Sequence, residues 1–397
     1  MSGNPRILFV DDDLLVLRGL QRALHAKRSE WDMVFVESGA KGLEEMSLKA
    51  FDVVVSDMRM PQMNGAEFLN AVKDRHPRTV RLVLSGHADK ELILQCVGAA
   101  HQFLSKPCEP ELLQTAISRV FESRPGIEPA HLKALLSHLP EMPTLPQRFR
   151  ELQARLEDPD ACLVDVANII EADPGMSAKL LKLANSAFFG LRRQVASVED
   201  ALMHLGVEIV KSLLLLDGFL NQASPMLPEA IQLPRLAERS LSIGRLSRLV
   251  AMEEGCGAPD DAFTAGLLHK MGVVVLAGAF PARYEAEVLQ PLADGKGLLS
   301  ERELQAFGVD HAAVGGYLMA LWGLPRTLVD GVALHLRPSL GPPLPSAATA
   351  VHLACAAPAP QAGSIWNHTL DDIHLAALTL RHPLSHWAEA LLIRSDS

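Results

Sequence analysis

Five short apolar runs, each closed by a polar residue, limit what the first third of this chain can fold into. They fall at residues 7–10, 33–36, 53–56, 81–84 and 102–104. Between them lie longer stretches with helical spacing, residues 14–24 and 65–73 among them. Strands alternating with helical patterns predict βαβ units and a parallel sheet. The run Val53-Val54-Val55 is β-branched and unbroken, as a central strand covered on both faces requires. The expectation is an α/β doubly wound domain of five parallel strands and five helices over residues 1–123.

At 397 residues the chain exceeds what one core usually serves, so a second domain is expected. RPGIEP at 124–129 is a breaker cluster, and 130–139 reads as a short amphipathic connecting helix carrying Leu132, Leu135, Leu136 and Leu139. After Pro146 the strand pattern vanishes. Asp173-Pro174 fits an N-cap followed by proline at the first helical position, and Ser197 with Asp200 fits a capping box. The plan is a linker at 124–140, an all-α domain at 141–337 and a helical extension at 338–397 whose docking the sequence leaves open.

Composition narrows the function classes. A chain 48% hydrophobic and 21% charged is able to bury substantial cores. A net charge of -10, with only Arg192-Arg193 as a dense basic spot in the second half, argues against DNA as a partner. The start MSGNPRILFV lacks the form of a secretory leader, and no window offers about 18 uninterrupted apolar residues. A soluble, cytoplasmic chain with no membrane partner is expected. Cys96, Cys108, Cys162, Cys256 and Cys355 are odd in number with no CxxC pair, so they read as buried or incidental thiols.

In an open parallel sheet, ligands bind beyond the carboxyl ends of the strands. Asp11 and Asp12 follow the first strand, Asp57 ends the third, Ser85 ends the fourth and Lys106 lies just past the fifth. Three converging carboxylates raise one another's pKa unless a cation sits among them. All-oxygen ligation with room for water suits Mg²⁺, since no thiolate or imidazole is at hand. An aspartate can accept a phosphoryl group, with the metal and a lysine ammonium offsetting the charge on its oxygens.

ILFVDDD, VVVSDMRMPQMNG, LVLSG and FLSKP together resemble the receiver domain of bacterial response regulators over about residues 4–123. The resemblance implies phosphorylation of Asp57 by a sensor histidine kinase. It implies metal binding by Asp11, Asp12, Asp57 and the backbone carbonyl of Arg59, and a switch hydroxyl at Ser85. Lys106 becomes the phosphate-contacting lysine, before a cis bond to Pro107. Phe103 stands where such domains carry a switch aromatic; a plain core phenylalanine explains it equally well. His87 and His101 read as surface or loop residues.

The second half contains IIEADPGMSAKLLKLANSAFFG, VEDALMHLGVEIVKSLLLL, AFTAGLLHKMG and FGVDHAAVGGYLMALWGLP. These resemble the HDOD domain, a relative of the HD-type metal phosphohydrolases. The parent superfamily holds its metals with an early histidine, an adjacent His-Asp pair and later His or Asp residues. Here the pair is His269-Lys270, and Arg239 stands where the early histidine falls, so two cations oppose a metal. His269, His311 and His335 remain as a degenerate site, read as packed remnants, although three histidines bind zinc in some enzymes. No cofactor is expected in this domain. Phe188, Phe189, Trp322 and Leu324 read as core, and Asn185 and Ser186 as residues that satisfy local backbone groups.

The expected function is a phosphorylation-gated signalling protein with a non-catalytic output domain. Its output partner is a downstream protein, a phosphodiesterase or cyclase for instance, or a nucleotide ligand; a homodimer is compatible with the sequence. The alternative is a metal-dependent phosphodiesterase acting on a cyclic nucleotide or dinucleotide.

Overall fold

The computed structural model describes residues 4–85, 99–121, 146–156, 158, 162–171, 180, 197–223, 227–356, 365, 367–383 and 386–387. The expected connecting helix at 130–139, the Asp173-Pro174 cap and residues His87, Cys96, Asn185, Ser186, Phe188, Phe189, Arg192 and Arg193 lie outside them. The chain divides into two compact units, one built on the N-terminal sheet and one on the helices after Pro146.

The first unit carries β1 (Arg6–Val10), β2 (Asp32–Val36), β3 (Val53–Asp57), β4 (Val80–Ser85) and β5 (Gln102–Ser105), all parallel in the order β2-β1-β3-β4-β5. The order reverses at β1 and β3, so the loops after these strands diverge and leave a crevice. β3 is buried along its whole length, as its valines require. Helices α1 (Leu14–Ala23), α2 (Gly39–Leu48), α3 (Gly65–Arg75) and α4 (Pro110–Phe121) accompany the sheet. The remaining helix expected from the pattern falls within 86–98, outside the described residues. Asp13 caps α1 by accepting from the Leu15 amide, and Asn64 with Glu67 forms a complete capping box on α3.

His101 lies in the loop just before β5, one of the two places expected for it. It is buried, not on the surface, and its Nδ1 accepts the Arg81 amide at 2.9 Å. The Arg81 guanidinium is buried beside it and donates to the carbonyls of Thr79, Pro77 and Ala99. A charge placed in a strand interior is tolerated because carbonyls surround it.

The second unit is all helical among the described residues. Its elements are α5 (Gln147–Leu156), α6 (Leu163–Glu171), α7 (Val198–Leu205), α8 (Val207–Ala223), α9 (Leu233–Glu254), α10 (Pro259–Leu268), α11 (Met271–Ala279), α12 (Leu299–Phe307), α13 (His311–Leu321), α14 (Arg326–Ala333), α15 (Ala347–Ala356) and α16 (Asp372–Ala376). Ser197 caps α7 by accepting from the Asp200 amide. The centre is formed by α9, α10, α14 and α15, so part of the 338–397 extension belongs to the core of this unit. Close approach of α9 and α10 depends on Gly244 and Gly266. A Cβ on Gly266 would stand 2.5 Å from Ser247 Oγ and 2.9 Å from Gly244 Cα. The run Pro259–Ala279 is long and apolar enough to cross a membrane by composition, yet 89% of that window is buried inside the fold. Cys256 and Cys355 are buried, Cys108 is half-buried and Cys162 is exposed.

Candidate phosphoacceptor site and buried histidine cluster

The ends of β1 and β3 bring Asp11, Asp12 and Asp57 together, with one oxygen from each within 4.8 Å of the others. Asp11 and Asp57 are buried, at 3% and 7% exposure, while Asp12 is open to solvent. Lys106, carried just past β5, reaches Asp11 Oδ2 at 2.9 Å and Asp57 Oδ1 at 2.5 Å. Burial pulls the Lys106 pKa down, but its hydrogen bonds to Asp57 and Asp11 outweigh that and leave it raised. The ammonium is therefore charged throughout the neutral range. Asp57 Oδ2 accepts the Arg59 amide at 3.0 Å, and Asp11 Oδ1 accepts the Asp13 amide at 2.9 Å.

Backbone packing makes this convergence possible. The amide of Gly65 donates to the Met58 carbonyl at 2.9 Å, and a Cβ at position 65 would stand 2.1 Å from the Asp57 carbonyl oxygen. Only glycine lets the start of α3 press so closely against the end of β3. The Lys106-Pro107 bond is cis. Ser85 ends β4 opposite Ser105, and Phe103 pairs with Val83 in the backbone ladder; the side chains of Ser85 and Phe103 lie outside the description. The all-oxygen donor set of the three aspartates fits a hard dication.

In the helical unit, the residues singled out along the sequence also meet. The ring centroids of His269 and His335 are 5.2 Å apart and those of His311 and His335 5.5 Å. Arg239, His269 and Lys270 line one small cavity with Ile243, Cys355 and His368. At about 10 Å³ it has room for no more than one water. Lys270 Nζ lies 2.8 Å from His311 Nε2, and His311 Nδ1 faces Glu303 Oε2 at 2.5 Å. Because an ammonium only donates, His311 accepts on Nε2 and donates from Nδ1 to the carboxylate. Tyr284 donates its hydroxyl to the other Glu303 oxygen at 2.6 Å.

Burial dominates the electrostatics here. It pushes Glu303 up to about 7 and lowers Lys270 from the ordinary lysine value. His269, His311 and His335 are held well below their usual value, first by burial and next by neighbouring cationic or ring groups, Lys270 among them. Gly272 brings this chain of contacts together, since a Cβ there would stand 1.9 Å from the His311 carbonyl oxygen.

Four participants were not evident along the sequence. Glu303 and Tyr284 complete the Lys270 network, while His352 and His368 extend the cluster with ring centroids 4.6 Å apart. His368 lies 6.3 Å from His335 by ring centroid, and the His335 carbonyl accepts from His352 Nδ1 at 2.8 Å. A larger cavity of about 220 Å³ opens beside Lys270, lined also by Ser300, Glu301, Arg337, Asn367 and Thr369.

The model of the response regulator receiver domain matches residues 7–118, and that of the HDOD domain matches residues 142–338. An uncharacterized protein of Treponema pallidum is 28% identical over 210 residues, covering 51% of this chain and 39% of that protein. A cyclic di-GMP phosphodiesterase of Thermotoga maritima is 31% identical over 119 residues, 30% of this chain and 31% of its own length. The chain thus spans about two-fifths or less of these curated relatives. An HDOD domain protein of unknown function from Geobacter sulfurreducens superposes with a TM-score of 0.50 at 23% identity, over 66% of this chain and 88% of that one, a likeness that speaks to the fold. The matched domains and the acidic pocket at the end of the parallel sheet place this chain among the two-component response regulators, with a receiver domain followed by an HDOD domain.

Proposed function

We propose that the chain is a phosphorylation-gated adaptor in which Asp57 receives a phosphoryl group from a histidine kinase and the HDOD domain binds and regulates a partner. The observation that carries the first half is the Lys106 ammonium bridging Asp11 and Asp57 beside Asp12. An Asp57 carboxylate oxygen forms the new bond to phosphorus as the kinase imidazole leaves. Asp11, Asp12, Asp57 and the Arg59 carbonyl would hold Mg²⁺, which would supply positive charge to the phosphoryl oxygens. Lys106 gives up its contact with Asp57 Oδ1 and pairs with a phosphoryl oxygen. Ser85, at the end of β4, is assigned the hydroxyl that follows the phosphate, and Phe103 the side chain that reports it. The division into 1–123, 124–140, 141–337 and 338–397 belongs to the same proposal.

The non-catalytic reading of the output domain rests on Lys270. Its ammonium already donates to His311 Nε2, the lone pair that a metal would need. One observation favours a residual metal site: His335 Nε2 is buried with no hydrogen-bond partner among the described residues, while its Nδ1 donates to the Val332 carbonyl. Arg239 and Lys270, both lining the same cavity as His269, weigh against it. The cavity beside Lys270, where Lys270 and Arg337 face Glu301 and Asp310, has room for part of a polar ligand, of which a nucleotide is one candidate.

Affinity capture from a lysate of the source cell, with Asp57 beryllofluoride-loaded and unloaded, tests the gating. A protein or nucleotide retained in one state only supports it; identical retention in both states sinks it.

A further inference from the structure

Outside both sites, the C-terminal segment sets a third group of side chains against the end of α9. Glu253, His382 and His386 each offer one ligand atom, and the three atoms lie within 4.8 Å of one another. His386 Nε2 is 3.1 Å from Glu253 Oε2, and His382 Nδ1 is 4.0 Å from the same oxygen. The two imidazoles stack with centroids 4.6 Å apart. All three side chains are half-buried, between 34% and 41% exposed, so an ion from solvent reaches them.

The segment is anchored by groups other than these rings. Trp387 is buried and stands edge-on to both imidazoles. Glu254 accepts the backbone amides of Arg381 and His382 at 2.6 and 3.0 Å, and the Arg381 guanidinium donates to the Glu253 carbonyl at 3.0 Å. Glu254 Oε1 also lies 3.2 Å from His382 Nδ1, on the same nitrogen that faces Glu253, so this carboxylate stands within reach of an ion held there.

We propose that Glu253, His382 and His386 form a binding site for a transition-metal dication of the zinc class. Two imidazoles and one carboxylate are a donor set that zinc takes, leaving a fourth position for water or Glu254. Mg²⁺ is disfavoured because it prefers oxygen alone. Bonds of about 2.0–2.2 Å in tetrahedral geometry place ligand atoms about 3.4 Å apart, so small side-chain adjustments suffice. A bound ion ties the C-terminal segment to the end of α9, the helix whose opposite end carries Arg239. It stabilises the fold in proportion to its affinity for the native state.

The test is a titration of full-length protein with Zn²⁺ against a chromogenic chelator, in excess Mg²⁺ and with thiols alkylated. The expected result is one equivalent in the wild type, at least tenfold weaker in His386→Ala and Glu253→Ala, and unchanged in His335→Ala, which alters the buried cluster instead. Zn²⁺ also raises the wild-type melting temperature and leaves that of His386→Ala unmoved. Should His386→Ala fail to fold by circular dichroism, His386→Gln, which keeps an amide against Glu253, replaces it with the same expectation. No uptake by the wild type, full uptake by the His386 and Glu253 variants, or loss confined to His335→Ala overturns the proposal.

Discussion

Lys270 Nζ sits 2.8 Å from His311 Nε2, and through that imidazole the ammonium is coupled to the buried carboxylate of Glu303. A positive side chain thus stands inside a pocket of histidines, and the charge is balanced by hydrogen bonding within the protein.

Removing that cation leaves His311 Nε2 without its donor and takes a nearby positive charge from Glu303, which keeps His311 and Tyr284. Lys270→Ala is expected to destabilise the helical domain by about 2–4 kcal/mol, from lost hydrogen bonding and the cavity left behind. Chemical unfolding followed by circular dichroism measures it. Lys270→Asp is expected to go further and gain Mn²⁺ binding that His335→Ala removes. Wild-type turnover of a cyclic dinucleotide with bound metal would contradict the adaptor reading.

Stability of this domain depends on pH through its histidines. His269, His311, His335 and His368 are kept neutral by burial, well below 6.5, whereas the unfolded chain protonates them near that value. The unfolded state then binds more protons, so the stabilisation present above pH 6.5 is lost as pH falls, by up to about 1.4 kcal/mol per unit for each ring. Glu303 acts in the opposite sense. Raised from 4.5 to about 7, it favours the fold when protonated, and that contribution is lost as pH rises through about 7. Four rings outweigh one carboxyl, so urea midpoints are expected to drop from pH 7.5 to 5, and Glu303→Gln to drop more steeply.

At the proposed phosphoacceptor, Asp57→Asn is expected to abolish the response of the receiver to acetyl phosphate or beryllofluoride with Mg²⁺, read by fluorescence or NMR. Lys106→Ala frees oxygens of Asp11 and Asp57 that the ammonium now occupies. Mg²⁺ is therefore expected to bind that variant at least as tightly, while the beryllofluoride response weakens. A normal response in Asp57→Asn would exclude it as the acceptor.

Two glycines supply a steric test. Gly65→Ala drives a methyl into the Asp57 carbonyl oxygen, and Gly272→Ala drives one into that of His311. Each is expected to cost about 1–3 kcal/mol. The first reduces Asp57 phosphorylation, and the second separates Lys270 from His311; thermal melts of the single variants against wild type check the magnitude. Unchanged melting temperatures would show that the helix starts yield more easily than the contacts imply.

The receiver half was legible because its information runs along the chain. Strand periodicity marks β1 to β5, and in a parallel sheet all their carboxyl ends lie on one edge, so Asp11, Asp57, Ser85 and Lys106 are neighbours by topology. His101 escaped that logic, since its partner Arg81 hides in a run that reads as an apolar strand. In the helical half, sequence determined the amphipathic and apolar helices and the unusual His269-Lys270 pair. It did not determine what those side chains touch. Lys270 meets His311 across 41 positions, Tyr284 meets Glu303 across 19, and His335 meets His368 from a segment beyond α15. Periodicity reports which face of a helix is buried, whereas the partner on that face depends on crossing angle and close approach. At Gly244, Gly266 and Gly272 those are decided by backbone contact that only tertiary structure contains.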